Sequence, residues 1–418
     1  MKRVGHLFEQ IVEPDNLKLA FWKASRGKRA RDDQRAVMRD FGSEIARLRD
    51  GFLSGTYPVG NFTRFKIYDP KEREICAASF GERVLQHAFM NVCESYFDRW
   101  LIPDSYACRK GKGQVAAVAR AQTFARRHAW FMKNDIRKYF DSIPKDRLFA
   151  SLAGRFKDPF LLGWFSRILG SYEKSPGRGV PIGSLTSQHF ANFYLDGLDR
   201  MHAGMSYVRY MDDFVFWSDA KETLLALRRS VVEFLGRSLG LELKQTPFIN
   251  RTSLGMDFLG MRVFPSSIRL GRASRLRYRR KLKAYGIAFD RGEWTEAEYQ
   301  TRLTSLTAFT GNADANVWRR KILAADEEHR ERTVSCVAVV GTTGLPTAAP
   351  RTGTGTTLAT GTGTTASASF APQHYGENHA VPVRNLFPPP GGTNDNRRPD
   401  ASSGVERFGM PPFQEGMR

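Results

Sequence analysis

Two hydrophobic periodicities divide this chain into helices and strands. Residues 16–53 are predicted to be helical, and apolar residues recur every three or four positions within residues 83–97, which predicts another helix. Between them, residues 57–75 shift to alternation at every second position, which predicts short strands broken at Asp69-Pro70. A small sheet is therefore expected between two groups of helices.

The middle of the chain mixes helix and strand patterns. A Gly-Lys-Gly turn at residues 111–113 precedes an alanine-rich predicted helix, and residues 130–136 form a predicted strand that carries Asp135 at its end. Elements in this order are typical of an α+β fold, and we expect helices on one face of its sheet.

Two adjacent acids stand between two strand-like runs. Apolar and aromatic residues at 207–210 and 214–217 flank this pair, Asp212 and Asp213, and predict a β-hairpin whose turn lifts both acids out of the sheet. Paired carboxylates there suit hard divalent cations such as Mg²⁺, which phosphoryl-transfer enzymes use. A solvated Asp-Asp loop is the alternative.

A metal pair of this kind needs an acid from another strand, and Asp135 is the candidate. It follows the apolar run at residues 130–132, and the aromatic Phe140 lies five positions on. A turn former or helix cap is the alternative for this Asp. Residues 179–188 contain small residues that would let a nucleotide or template base approach the backbone, or they are a plain junction to a helix beginning around Ser187.

Length and charge limit the classes of function. With 418 residues, the chain allows two or three domains of about 150 residues and a core without disulfides. A formal charge of +21 predicts a polyanionic partner, either nucleic acid or an anionic membrane surface. No apolar stretch approaches the roughly 18 residues of a membrane span. Four cysteines without a Cys-x-x-Cys pair or a signal peptide favour reduced thiols in the cytoplasm and argue against zinc.

The C-terminal part of the chain changes composition twice. Residues 269–283 carry many Arg and Lys residues without an acid, which predicts a basic helix along a nucleic-acid backbone. Gly-Thr and Pro-rich runs predict a low-complexity, disordered tail at residues 331–418, because they bury too little apolar surface to offset their ordering entropy. The basic positions of interest are Arg269, Arg272, Arg275, Arg279, Arg280 and Lys281.

The motif order over about residues 16–323 resembles the successive blocks of a reverse transcriptase. It resembles in particular the enzymes of diversity-generating retroelements, within the group II intron-like bacterial superfamily, which share residues 104–109, residues 111–113 and the Ser-Gln pair ending at Gln188. The general blocks are Arg73 within residues 71–75, Asp135, residues 182–188, Tyr210-Met211-Asp212-Asp213, Lys244 and residues 255–260.

The resemblance implies a right-hand polymerase with fingers, an antiparallel palm sheet and a helical thumb. The expected segments are an N-terminal helical region at 1–56, fingers at 57–130, a palm at 131–262 with fingers elements around 145–180, a thumb at 263–330 and the tail at 331–418. The basic positions listed above would lie at the start of the thumb and grip an RNA–DNA duplex.

The resemblance also assigns residues to catalysis. Asp135 and Asp212 would bind two Mg²⁺ ions, or Mn²⁺ in their place, with support from Asp213. The carbonyl oxygen of Ile136 would complete the coordination. Lys244 would lie near the active site, with a surface lysine as the alternative.

Nucleotide binding is implied at three further positions. Arg73 would clasp the triphosphate with its guanidinium fork, assisted by Lys71. Phe140 would lie under the sugar and exclude a 2′-hydroxyl, which favours dNTPs. Solvated charges and a core phenylalanine are the respective alternatives.

Two positions depart from the pattern of most reverse transcriptases. Ile182 stands where a Gln is usual, and Gln188 where a Pro is usual. Loss of the amide removes donors and an acceptor that could fix the sugar and template base. Lower selectivity is therefore expected. The resemblance implies that errors arise chiefly opposite adenines when a template-repeat RNA is copied, and that this copying serves diversity-generating retrohoming.

The family likeness implies partners that the residues themselves do not reveal. These are a structured template RNA, often the source of the primer, and a small helical accessory protein, in the cytoplasm of a bacterial or phage-infected cell. An antiviral or otherwise domesticated bacterial reverse transcriptase is one alternative. A catalytically inert RNA-binding scaffold is another.

Overall fold

The computed structural model describes residues 2–26, 41–68, 72–244 and 247–325. Lys71 and the predicted tail at residues 331–418 lie outside the described residues. No helix within these ranges is long and apolar enough to cross a lipid bilayer.

The helices and strands follow one another along the chain in mixed order. The helices are α1 (Phe8–Ile11), α2 (Pro14–Ser25), α3 (Phe41–Leu53), α4 (Phe80–Trp100), α5 (Gln114–Arg127), α6 (Tyr139–Ser142), α7 (Lys145–Ala153), α8 (Pro159–Gly170), α9 (Leu185–Tyr194), α10 (Asp196–Met201), α11 (Lys221–Leu239), α12 (Arg272–Asp290) and α13 (Glu296–Thr310). The strands are β1 (Phe62–Ile67), β2 (Arg73–Ala78), β3 (Trp130–Asp135), β4 (Tyr207–Tyr210), β5 (Asp213–Ser218), β6 (Phe248–Arg251), β7 (Met256–Phe258), β8 (Met261–Val263) and β9 (Ile268–Leu270).

Side-chain caps fix where helices begin. Thr295 and Glu298 form a capping box at the start of α13, which satisfies N–H groups that have no partner within the first turn. Helix α9 begins at Leu185 rather than around Ser187, because Ser184 Oγ accepts a hydrogen bond from the Ser187 N–H over 3.4 Å. The predicted start of this helix was two residues too late.

A four-stranded antiparallel sheet with the strand order β4-β5-β3-β6 forms the centre of the fold. Strands β4 and β5 are the predicted hairpin, with Tyr210 opposite Asp213. Residues 104–106 add a short parallel contact to Arg209 on β4, through two backbone hydrogen bonds of 2.9 and 3.0 Å. The hairpin itself is confirmed, but the prediction that its turn lifts both acids out of the sheet is wrong, because Asp213 is already a paired residue of β5. The added contact extends the sheet beyond what the sequence indicated.

Both faces of this sheet are covered, so the prediction of helices on one face is wrong. Phe214 and Phe216 pack into the larger core with α9 and α11. Val215 and Trp217 pack on the opposite face with α5 and the sheet formed by β7 to β9. Because these four consecutive residues are all apolar and buried, both faces must be shielded from water.

Strands β1 and β2 form a separate antiparallel hairpin that contacts the segment before α9. Cys76 N on β2 donates to Ile182 O over 2.8 Å. Gly183 has a φ of 110°, and a Cβ there would lie 3.0 Å from Cys76 O and 3.1 Å from Ile75 Cγ2. Glycine therefore permits this close approach of the two backbones.

A three-stranded sheet, β7-β8-β9, precedes α12. Arg269 lies on β9 opposite Arg262, so the prediction that it belongs to the basic helix is wrong. The strand pairs with β8 before the chain turns at Gly271, and α12 begins at Arg272. The predicted palm–thumb boundary, between residues 262 and 263, falls inside strand β8. The domain limits themselves remain predictions.

Candidate active site

Asp135 and Asp213 face each other across paired strands. The antiparallel register of β3 and β5 sets Asp135 directly opposite Asp213, which corresponds to Cα atoms about 4.5–5.5 Å apart. Asp212 precedes Asp213 in the turn between β4 and β5. All three predicted acids therefore lie at one end of the central sheet.

Two lysines contact these acids. Lys133 Nζ lies 3.1 Å from Asp213 Oδ2, and it donates to Asp257 O over 2.8 Å. Lys244 Nζ lies 3.2 Å from Asp135 Oδ2, and the Lys244 backbone N–H donates to Asp135 O over 2.8 Å. The structure thus places Lys244 in contact with a candidate metal ligand.

The ionisation of Asp213 depends on its surroundings. Burial is the main cause that raises the pKa of Asp213 to about 6, with the charges of Asp212 and Asp135 adding to it and Lys133 opposing it. Its Oδ1 atom is buried without a hydrogen-bond partner among the described residues. A nearby divalent cation would favour the ionised form and lower this pKa.

The chemistry of these ligands fits Mg²⁺ or Mn²⁺. Carboxylate and carbonyl oxygens are the hard ligands that both ions prefer, and Mg²⁺ is commonly bound by one or two carboxylates together with substrate phosphates. In the part of the chain that the structure describes, no three His, Cys, Asp or Glu side chains form a ready metal cluster. A cation would compete with Lys133 and Lys244 for the oxygens that these lysines contact.

The residues after Asp135 anchor the backbone beside it. The side chain of Ile136 is buried in the larger core, and its backbone pairs with Leu243. Phe140, on α6, is half-buried against the same core, and its carbonyl accepts a hydrogen bond from Val180 N over 2.9 Å. Phe140 therefore lies next to the small-residue segment that leads into α9.

The remaining predicted nucleotide-binding residues lie around that segment. Ile182 is half-buried, and Cys108 Sγ donates to Gln188 Oε1 in the first turn of α9 over 3.8 Å. Arg73 begins β2 and is exposed. Arg73 and Ile75 point to the same face of β2, and Ile75 lies against Gly183, the residue after Ile182. Arg73 and Ile182 are thus carried by two segments in contact.

Helix α12 separates its basic and buried residues. Four of its five buried positions are spaced four residues apart, so one face packs inward and the other remains in solvent. The exposed basic residues are Arg272, Arg275, Arg279, Arg280 and Lys283, and Lys281 is half-buried. The prediction of a basic helix is confirmed from residue 272 onward. Arg269 is exposed on β9, with its guanidinium 5.1 Å from the ring centre of Phe264.

Sequence reasoning missed Lys133 and Arg209. Lys133 stands two residues before Asp135, and residues two apart share a strand face, so this spacing was an available signal. Arg209 is fully buried in an ion pair with Asp199. No sequence signal predicts that pairing, because it depends on how α10 packs beneath the sheet.

The family comparison agrees with this geometry. Residues 69–263, just under half of the chain, match the family model described as reverse transcriptase (RNA-dependent DNA polymerase). The chain is 28% identical over 134 residues to the uncharacterized 91 kDa protein in cob intron of Schizosaccharomyces pombe, covering 31% of this chain and 17% of that protein. It is 26% identical over 157 residues to the putative COX1/OXI3 intron 2 protein of Saccharomyces cerevisiae, covering 34% and 18%. The chain spans less than a fifth of the length of these two relatives.

A similar solved structure is the telomerase from Candida tropicalis in complex with a fragment of telomeric RNA. It has a TM-score of 0.41 and 11% identity, covering 64% of this chain and 56% of that one. The family match assigns residues 69–263 to the reverse transcriptases. This chain therefore contains a reverse transcriptase domain.

Proposed function

We propose that this chain is an RNA-directed DNA polymerase, which joins dNTPs to a primer 3′-hydroxyl opposite an RNA template. The observation that supports this most directly is the register of Asp135 against Asp213, with Asp212 in the adjoining turn. All three acids fall within the matched residues 69–263. A formal charge of +21 suits a nucleic-acid partner.

The acids would hold the ions that this chemistry requires. When bound by Asp135, Asp212 and the carbonyl oxygen of Ile136, two Mg²⁺ ions, or Mn²⁺, supply charge stabilisation for in-line displacement at the α-phosphate. Asp213 supports these ligands from the same end of the sheet, and Lys133 fixes its carboxylate. No residue forms a covalent intermediate in this mechanism, so catalysis is positioning plus charge stabilisation.

The contact between the β1–β2 hairpin and the segment before α9 would bind the incoming nucleotide. Arg73, with Lys71 beside it in sequence, supplies cationic donors for the triphosphate. Phe140 supports the sugar and excludes a 2′-hydroxyl. Ile182 and Gln188 line the approach to the template base. The exposed basic face of α12 grips the product duplex through its phosphates.

Primer extension on a defined RNA template tests the polymerase proposal. We expect extension by the unmodified chain and a loss of about a thousandfold or more in Asp212→Asn, because a metal ligand is removed. Asp219→Asn is the matched control, since Asp219 follows the opposite end of β5 and its carboxylate contacts His128. Extension that is absent or equal in all three proteins would instead favour the inert RNA-binding scaffold.

The finer proposal is mutagenic copying for a diversity-generating retroelement. Ile182 offers no amide to fix the nucleotide, so its placement depends on stacking and misincorporation opposite template adenines increases. Sequencing cDNA made by Ile182→Gln should show fewer errors opposite adenine, with Ile182→Leu as the control for size. An error spectrum that is the same in all three proteins would reject the idea.

Partners and context are also part of the proposal. They are a structured template RNA, an RNA–DNA duplex and a small helical accessory protein, in the cytoplasm of a bacterial or phage-infected cell. A template repeat and a near-identical variable repeat differing at adenines, close to the gene, would support the diversity-generating subtype. Their absence would favour an antiviral or otherwise domesticated reverse transcriptase.

A further inference from the structure

Arg209 is among the largest fully buried side chains of the described residues, although it lies on the strand that leads into the turn with Asp212. All five N–H donors of its guanidinium are used. They reach both carboxylate oxygens of Asp199, the side chain and carbonyl of Asn192, and the carbonyl of Met211.

The partners of Arg209 are themselves fixed. Asp199, on α10, is fully buried and also accepts a hydrogen bond from Tyr207 Oη over 2.8 Å. Asn192, on α9, donates from Nδ2 to Ala107 O over 2.7 Å. Burial alone would lower the pKa of Arg209, but the Asp199 carboxylate outweighs it and the pKa is raised. The guanidinium is therefore a charged and rigid connection between two helices and β4.

The bond to Met211 acts at a strained point. Met211 has a φ of 57°, in the left-handed region, which costs a residue with a side chain roughly 1–2 kcal/mol. Such conformations persist only where the surroundings hold them. Arg209 Nη1 donates to Met211 O over 3.1 Å, and the next residue in the chain is Asp212.

We propose that Arg209 is a positioning residue for the catalytic turn. Held by Asp199 and Asn192, it fixes the Met211 carbonyl, so that the Asp212 carboxylate points toward the same divalent cations as Asp135. This inference rests on the proposed function of the acids as metal ligands. It adds a role for a buried ion pair that touches none of the reacting atoms.

A structural role alone and a positioning role can be separated by replacing the whole pair. Removal of one partner leaves a buried charge and destabilises a protein strongly, whereas replacement of both by apolar residues of similar size is often neutral or stabilising. Arg209→Met combined with Asp199→Leu should therefore remain folded but lose the bond to Met211. Arg209→Lys keeps the charge, yet a single ammonium cannot reproduce the fork to Asp199 while reaching Met211.

The experiment compares four proteins: the full chain, the double variant, Arg209→Lys and the control Arg155→Met. Arg155 forms a part-buried pair with Asp196 at 2.9 Å, and its guanidinium lies 5.6 Å from the ring centre of Trp100. Mn²⁺ binding is measured by electron paramagnetic resonance titration, and folding by thermal unfolding. Primer extension with varied dNTP concentration gives kcat and KM.

We expect both Arg209 variants to bind Mn²⁺ about 10- to 100-fold more weakly than the full chain, as is typical for residues that orient metal ligands. Their kcat should fall while KM for dNTP changes little, and Arg155→Met should match the full chain. Unchanged Mn²⁺ affinity in a folded Arg209 variant, or an equal loss in Arg155→Met, would overturn the positioning role. If the double variant does not fold, the Mn²⁺ affinity of Arg209→Lys alone decides whether the positioning role holds.

The positioning role and the polymerase function fail in different ways. If the full chain binds Mn²⁺ and the Arg209 variants bind it more weakly, but no protein extends a primer, the polymerase function is rejected and the positioning role stands. If the full chain does not bind Mn²⁺, the positioning role is rejected as well.

Discussion

Lys133 and Asp213 meet diagonally across β3 and β5, with Nζ 3.1 Å from Oδ2. Lys133 is opposite Val215 in the register. Its side chain therefore extends along the same face of the sheet to Asp213, which lies two residues before Val215. Its ammonium also donates to Asp257 O, on β7. One lysine thus connects the carboxylate of Asp213 to the three-stranded sheet that precedes α12.

We expect Lys133→Met to lower the free energy of unfolding by about 1–3 kcal/mol at pH 8, because the Asp213 carboxylate loses its partner. The decrease in unfolding free energy caused by Lys133→Met should be smaller at pH 5. The pKa of Asp213 is raised to about 6, so ionisation above that pH opposes folding and Lys133 offsets this cost. Urea unfolding in EDTA at both pH values measures the effect, with Lys133→Arg as control. Equal losses at pH 5 and pH 8 would contradict a charge effect.

Gly183→Ala should loosen the contact between the β1–β2 hairpin and the segment before α9. The added Cβ meets the Cys76 carbonyl oxygen at 3.0 Å, and the backbone has a φ of 110°. We expect a loss of about 1–3 kcal/mol in unfolding free energy and a higher KM for dNTP.

The matched control for this change is Gly204→Ala, since Gly204 has a φ of 89° but open space around the added Cβ. Gly204→Ala therefore imposes the strain of a positive φ on a residue with a side chain, but its Cβ meets no neighbouring atom. A KM for dNTP that rises equally in both variants would mean that backbone strain, and not the contact with β2, is responsible.

Arg279→Ala should weaken duplex binding in a salt-dependent way. Arg279 is exposed on the basic face of α12, and loss of one phosphate contact reduces the slope of log affinity against log salt by about 1. Fluorescence anisotropy with an RNA–DNA duplex at several salt concentrations measures it. Arg269→Ala is the comparison, because Arg269 lies on β9. A slope unchanged by Arg279→Ala would remove this residue from the interface.

His87 should make the fold sensitive to acid. Burial, together with the charges of Lys23 and Arg83, lowers the pKa of His87 to about 4. Its folded-state pKa lies below the unfolded value, so its contribution to stability is present above about pH 6.5 and is lost as the pH falls toward 4. Between pH 7 and 4.5, the free energy of unfolding of His87→Gln should fall by on the order of 1 kcal/mol less than that of the unmodified chain. Parallel stability curves in this range would contradict the prediction.

The features that could be predicted from sequence are those encoded locally. Apolar runs on both sides of Met211-Asp212 indicated the hairpin, and the apolar residues before Asp135 indicated its strand. The burial of Arg209 could not be predicted, since an arginine on a strand is normally exposed. Its burial requires Asp199 from α10 and Asn192 from α9, which only the packed fold brings together.

Strand β9 shows why the other errors arose. Arg269 lies in an unbroken basic run, and charge alone could not reveal that three residues pair with β8 before the helix starts. The same limit applies to the sheet faces, because a strand that is apolar at every position indicates burial on both sides but does not identify the covering elements.

The contact of residues 104–106 with β4 has a consequence for association between molecules. It occupies backbone donors and acceptors on the outer side of the β4–β5 hairpin, where an open strand would offer a template for pairing with a foreign chain. We therefore expect this short segment to reduce aggregation through the edge strand β4. Loss of this contact would leave the outer side of β4 open to pairing with a neighbouring molecule.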